Sequence, residues 1–148
     1  NSPYDRFVNG DRSALSVEQQ VGLRIFRGKG NCTACHVGPT FSDEKVHNTG
    51  AAWQDGQMQD EGRFIVSGKD EDRGALKTPT LRDVARTAPY MHDGRLATLD
   101  AVVEFYSEGG RANPNRDPEL HPLGLTATEK ETLVAFLRSL SGAIRDGR

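Results

Sequence analysis

The sequence predicts a mainly α domain threaded by long irregular loops, and three observations carry that expectation. Segments with helical spacing of apolar residues, each opened by a capping residue, stand near both ends of the chain. Sixteen glycines and a mean hydropathy of -0.63 mark much of the remainder as loop. Finally, Cys32-Thr33-Ala34-Cys35-His36 sets two thiols and an imidazole at the spacing that covalent attachment of a c-type haem requires. The cysteines add across the haem vinyl groups, and the histidine after them is placed to bind the iron. One covalent haem c is therefore expected, with the loops wrapped around it.

Three plainer explanations of the motif are a disulfide redox pair, a zinc half-site and chance. A thioredoxin-like pair sits at a helix start within a βαβ pattern, which the sequence lacks, and a structural zinc site needs a second pair of ligands. Haem attachment uses both cysteines and leaves none for a structural disulfide.

The first long helix is predicted over residues 16–27, because Ser16 and Gln19 make a capping box. Val21/Ile25 and Gly22/Phe26 recur at i, i+4, and a glycine one turn before an aromatic lets another helix approach. Gly28 and Gly30 end it. Residues 41–77 have weak periodicity and many glycines, acids and glutamines, so a long loop is expected, with a short strand pair around residues 63–66. Thr78-Pro79 is expected to open a short helix through Leu81 and Val84, with proline at its first position, stopping before Pro89. Thr98 caps another helix running to Ser107, with Gly109-Gly110 as its exit and Leu99, Val102, Val103 and Tyr106 on one stripe. In the last helix Thr126 is the cap, Glu129 the third residue, Leu133, Phe136, Leu137 and Leu140 the buried stripe, and Gly142 lies beyond the end. First and last helices flanking a haem-attachment motif resemble the c-type cytochrome fold, in which those two helices cross.

A chain of 148 residues without a linker-like stretch reads as one domain. Leu, Ile, Val and Phe make up only 31 of those residues, close to the level below which highly charged chains fail to fold. A buried porphyrin supplies missing apolar volume, so poor folding without haem is expected. A net charge of -2 and a pI near 6.1 give no reason to expect nucleic acid or an anionic membrane as partner. No apolar run approaches the roughly 20 residues of a membrane-spanning helix, and no secretory signal opens the sequence. Covalent haem is normally installed outside the bacterial cytoplasm, so the expected compartment is the periplasm, with a leader lost or the chain cut from a longer precursor.

Iron held by one histidine has a second axial position, whose occupant decides between electron transfer and chemistry on peroxide or oxygen. The candidates are Met58, Met91, His47, His92, His121, Tyr106 and an open site. His121 lies in a polar loop, His47 is close in sequence to His36, and Met58 has polar neighbours. Tyr106 points inward on its stripe. Its plain explanation is a core tyrosine bonded to a carbonyl; its sharper one is a ligand to the iron.

Leu76-Lys77-Thr78-Pro79-Thr80-Leu81-Arg82-Asp83-Val84, Thr87-Ala88-Pro89-Tyr90-Met91-His92-Asp93-Gly94 and Thr98-Leu99 resemble, in order, the C-terminal haem domain of bacterial dihaem cytochrome c peroxidases. Phe105-Tyr106-Ser107-Glu108-Gly109-Gly110 is closer to the MauG-like branch of that family. Gly38-Pro39-Thr40-Phe41-Ser42-Asp43, His47-Asn48-Thr49-Gly50 and Leu123-Gly124-Leu125-Thr126 extend the resemblance over nearly the whole chain.

The resemblance implies a sixth ligand at the place of Tyr106, methionine in the peroxidases and tyrosine in MauG-like members, with Met91 as the rival. It implies His92 near the haem as a neighbour or electron-path residue, and a calcium ion held by the backbone carbonyls of Thr87 and Pro89 together with an asparagine from another domain. Residues 1–15 resemble the segment joining two haem domains, whereas this sequence has one attachment motif. Expected partners are thus a second haem domain or subunit and a redox protein, the chain being one part of a cleaved or split protein or a natural single-haem relative. No catalytic residue is assigned, since the peroxide-reactive haem and its acid/base groups belong to the other half. The alternative is a self-contained peroxidase or gas-binding haem protein with an open sixth site.

Overall fold

The structure, a computed structural model, describes residues 1–143. Residues 144–148, the end of the single domain expected over 1–148, lie outside the described residues. Its helices are α1 (Pro3–Val8), α2 (Val17–Arg27), α3 (Phe64–Ser67), α4 (Leu99–Ser107) and α5 (Ala127–Arg138). Four two-residue strands form two antiparallel pairs. β1 (Val46–His47) pairs with β4 (Leu76–Lys77), and β2 (Trp53–Gln54) pairs with β3 (Gln57–Met58). Helix thus outweighs strand, as expected.

Helices α2 and α5 begin with the capping boxes read from the sequence, Ser16 with Gln19 and Thr126 with Glu129. They cross at Gly22. A Cβ there would come within 1.9 Å of the Thr132 carbonyl oxygen and 2.8 Å of Phe136 Cβ, so the two backbones touch at a point only glycine permits. Around the crossing stands an aromatic cluster. Phe26 and Phe136 have ring centroids 5.1 Å apart, Tyr4 and Phe41 likewise 5.1 Å, mostly edge to face. Phe136 is fully buried. Residues 1–15 are built into this core, with Ser2 and Leu15 buried and Tyr4 N–H donating to the Ser139 carbonyl at 3.2 Å.

Two expected elements do not form. Residues 63–66 are not a strand but lie at and in the single helical turn α3, which ends at Gly68 in the left-handed region. Ile65 and Val66 are 74% and 75% exposed, while the Arg73 guanidinium stacks 3.7 Å from the Phe64 ring centroid. The expected helix over residues 78–84 is irregular chain followed by one tight turn, Val84–Arg86. Distant acceptors take its backbone donors: Thr78 N–H goes to Lys45 O, Leu81 N–H to Thr40 O and Asp83 N–H to Leu140 O. Thr78 and Leu81 would be first-turn donors and free in any helix, but with the Asp83 N–H spent on Leu140 and Asp83 left-handed at φ 57°, a helical ladder cannot continue through this segment.

The stripe on α4 divides. Leu99 and Val103 enter the core, but Val102 and Tyr106 line a cavity, and Phe105, which the stripe omits, is buried. The last helix ends at Arg138, so Leu140 is buried from the turn beyond it rather than from the helix.

Candidate functional site

Between the α2–α5 crossing and α4 lies a cavity of about 420 Å³. Its walls are largely apolar, from Phe26, Leu81, Val84, Val103, Leu133 and Leu137, and they bring together Cys32, Cys35, His36, Met91, His92 and Tyr106.

The attachment motif forms a tight turn, Cys32–Ala34, directly after α2. His36 Nδ1 lies 2.7 Å from the Phe41 carbonyl oxygen. A carbonyl only accepts, so Nδ1 carries the proton and Nε2 keeps its lone pair. Burial holds the imidazole below its ordinary pKa, which keeps it neutral and ready to ligate, although the Phe41 carbonyl pulls the other way. Burial pushes the Cys32 thiol up to about 12 and Cys35 to about 11, the acidic Asp43, Asp117 and Glu119 adding to the latter. Redox-active and zinc-binding cysteines need the opposite shift. Neutral thiols on an apolar wall beside an imidazole with a free Nε2 fit a covalently tethered porphyrin.

On the wall formed by α4, the Tyr106 hydroxyl is pushed up to about 12, chiefly by burial, with Thr49 opposing and the two cysteines adding. Met91 lines the same cavity from a left-handed backbone, φ 69°. His92 is at its edge, Nε2 3.7 Å from Asp60 Oδ2. Thr87 and Pro89, expected to offer carbonyls to calcium, also border it.

His121, read from sequence as a polar-loop residue, is exposed and also borders the cavity. Met58 packs against Gly74, where a Cβ would meet its sulfur at 2.6 Å, and belongs to the small hairpin. His47 also lines the cavity, clasped between Asp117 (Nδ1 to Oδ2, 2.6 Å) and Asp43 (Nε2 to Oδ2, 2.9 Å). That clasp was invisible in sequence because its carboxylates lie 4 and 70 residues away. Four arginines of the surrounding loops are held in ion pairs: Arg73 with Glu61 and Asp70, Arg82 with Asp5, Arg86 with Asp83, Arg95 with Asp93. Among the described residues, Lys77 is the one lysine or arginine that lines the cavity.

No family model matches the chain. Among curated proteins it is 42% identical to cytochrome-c peroxidase IdrP2 of Denitromonas iodatirespirans, covering 96% of this chain and 44% of that protein. It is 38% identical to the methylamine utilization protein MauG of Methylorubrum extorquens, covering 94% and 39%. A solved MauG-like protein associated with microbial copper homeostasis superposes with a TM-score of 0.89 at 33% identity, over 97% of this chain and 52% of that one. The chain thus spans less than half the length of the curated relatives it matches. Over that span, it belongs to the bacterial dihaem cytochrome c peroxidase and MauG-like family and corresponds to the C-terminal half of its members.

Proposed function

We propose that this chain binds one haem c through Cys32 and Cys35, with His36 as fifth and Tyr106 as sixth iron ligand, and serves as the electron-transfer half of a peroxidase-type or MauG-like oxidoreductase. The observation that carries it is the meeting of His36 and Tyr106 on the wall of one apolar cavity beside both thiols. When bound, the haem supplies a ferric/ferrous couple. The chain's own residues do the rest. His36 is oriented by the Phe41 carbonyl and donates through Nε2. Tyr106 holds its proton until a cation offsets the burial that raises its pKa, and as a phenolate it is a hard anionic donor that favours the ferric state. Leu133, Leu137 and Val103 exclude water, which strengthens both interactions.

A second haem domain or subunit and an external redox protein are the partners this reading requires, in the periplasm where haem c is assembled. Thr87 and Pro89 carbonyls are the chain's share of a calcium site at the boundary with that domain. A self-contained protein with an open sixth position is a second reading. It is favoured by the same raised Tyr106 pKa, since a neutral phenol can instead donate a hydrogen bond to a bound peroxide or diatomic gas.

Intact mass of the protein matured with haem is the first test, an unmodified polypeptide ending the proposal. Optical spectroscopy of Tyr106→Phe is the second. Tyrosine ligation predicts a six-coordinate low-spin ferric spectrum that the variant converts to high spin. A wild-type spectrum already high-spin and shifting at once with cyanide supports the open site, and a thioether-to-iron band assigns the ligand to methionine.

A further inference from the structure

The Arg82 side chain is not part of the cavity lining and reaches the loop that aims His36. In residues 39–41 three consecutive carbonyls each have a partner. Pro39 O accepts from Arg82 Nε at 2.7 Å, and Thr40 O accepts from Thr80 Oγ1 at 2.6 Å and Leu81 N at 3.3 Å. Phe41 O, the third, accepts from His36 Nδ1 at 2.7 Å. Segment 80–82 therefore fastens the two peptides immediately before the one that holds the imidazole.

The fastening is needed because Phe41 is left-handed, φ 54°, a conformation that costs a residue with a Cβ on the order of 1–2 kcal/mol and persists only where its surroundings enforce it. Its ring is buried against Tyr4, Phe26 and Phe136, and the Arg82 guanidinium lies 5.1 Å from its centroid. Arg82 Nη1 in turn donates to Asp5 Oδ1 of α1 at 2.7 Å. Asp5 is held far below the usual carboxylate range, against the burial that opposes it, by its bonds to the N-terminus, Ser2 and Arg82, so it is ionised throughout the working pH range. One planar guanidinium thus spans the loop and the N-terminal helix, which a point-charge ammonium cannot do.

We propose that Arg82 is a positioning residue for His36. It fixes the loop that presents the Phe41 carbonyl to the imidazole, and through Asp5 it couples the N-terminal helix to the donor strength of the fifth iron ligand. The inference rests on the haem reading above. A hydrogen bond donated by the outer N–H of a ligating histidine orients the ring and raises its basicity, which stabilises the higher oxidation state of the iron. Loosening the loop lengthens that bond and weakens the donor.

The test is the reduction potential of the haem-loaded protein and its variants, with intact mass confirming attachment in each. Arg82→Gln is expected to shift the ferric/ferrous equilibrium about tenfold toward ferrous, a rise of about 59 mV for one electron. Asp5→Asn should move it the same way by less, and Arg82→Lys should fail to restore the wild-type value. The hydrogen-bonded Nδ1 proton of His36 in the ferrous NMR spectrum should move in step with the potential, which a merely structural role does not require. Unchanged potentials in Arg82→Gln and Asp5→Asn, with haem attached, overturn the proposal. If Arg82→Gln does not fold, Asp5→Asn decides alone. A wild-type protein without covalent haem removes the underlying reading, and the mass shows that before any potential is measured.

Discussion

The two walls of the cavity are built to different standards. On the His36 side nearly every polar group is committed: the imidazole to Phe41, the preceding carbonyls to Arg82, Thr80 and Leu81, and the whole loop to an aromatic cluster at the close α2–α5 crossing. On the α4 side several potential donors share one surface with fewer polar anchors. Tyr106 has Thr49 near it, and His92 reaches Asp60 only at 3.7 Å. A wall over-determined by packing fixes one geometry, whereas a wall of alternatives lets a single substitution change which atom faces the iron. On the haem reading proposed above, that difference would suit a constant histidine and a sixth ligand that varies between methionine and tyrosine.

The comparison breaks most severely at Gly22. A methyl group placed 1.9 Å from the Thr132 carbonyl cannot be accommodated by a rotamer change, so α2 and α5 must separate. Gly22→Ala is expected to lose on the order of 4 kcal/mol in denaturant unfolding, the range of severe overpacking, and to disorder the His36 wall before the α4 wall. A loss under 1 kcal/mol would mean that the crossing is not what braces this side.

A smaller effect is expected at His47, whose clasp joins the loop after the attachment motif to residue 117. Burial pulls its pKa down, but Asp117 and Asp43 outweigh it and the net shift is upward. Asp43 is held down to about 2 despite burial, chiefly by His47. A histidine with a raised folded pKa contributes stability that is complete below its unfolded value near 6.5 and fades as pH rises through the folded one. The Asp43 contribution is present above about pH 4 and fades as pH falls toward 2. The clasp is therefore strongest between roughly pH 4 and 6.5. His47→Gln should cost about 1.5–3 kcal/mol at pH 6 and clearly less at pH 9. An equal loss at both values would show that the charge on the ring contributes nothing.

The same contrast governs what could be read from sequence. Capping residues and the glycines that end a helix are local signals, so α2, α4 and α5 were legible to within a residue or two, and the α4 stripe gave the inward direction of Tyr106. Residues 63–66 and 78–84 were misjudged because their conformations are decided by Ala75, Lys45, Thr40 and Leu140, far along the chain. The His47 clasp and the Arg82 fastening are long-range for the same reason. Only the resemblance, not periodicity, pointed to the region that holds Arg82, and it carried no statement of what the guanidinium touches.

The smallest effect belongs to Met91, and it sharpens the comparison from the loose side. If Tyr106 is the ligand, the Met91 thioether is only a filler of the cavity wall, and Met91→Leu conserves its volume and apolar character. Such swaps cost less than about 1.5 kcal/mol, and because the left-handed backbone at φ 69° is unfavourable to both side chains, it adds no difference between them. The ferric spectrum and reduction potential of the haem-loaded protein should then match wild type while Tyr106→Phe alters both. Should Met91→Leu instead lower the potential and abolish a thioether-to-iron band, the left-handed backbone at Met91 would be the device that delivers sulfur to the metal. The α4 wall would then have chosen its ligand through a loop rather than a helix.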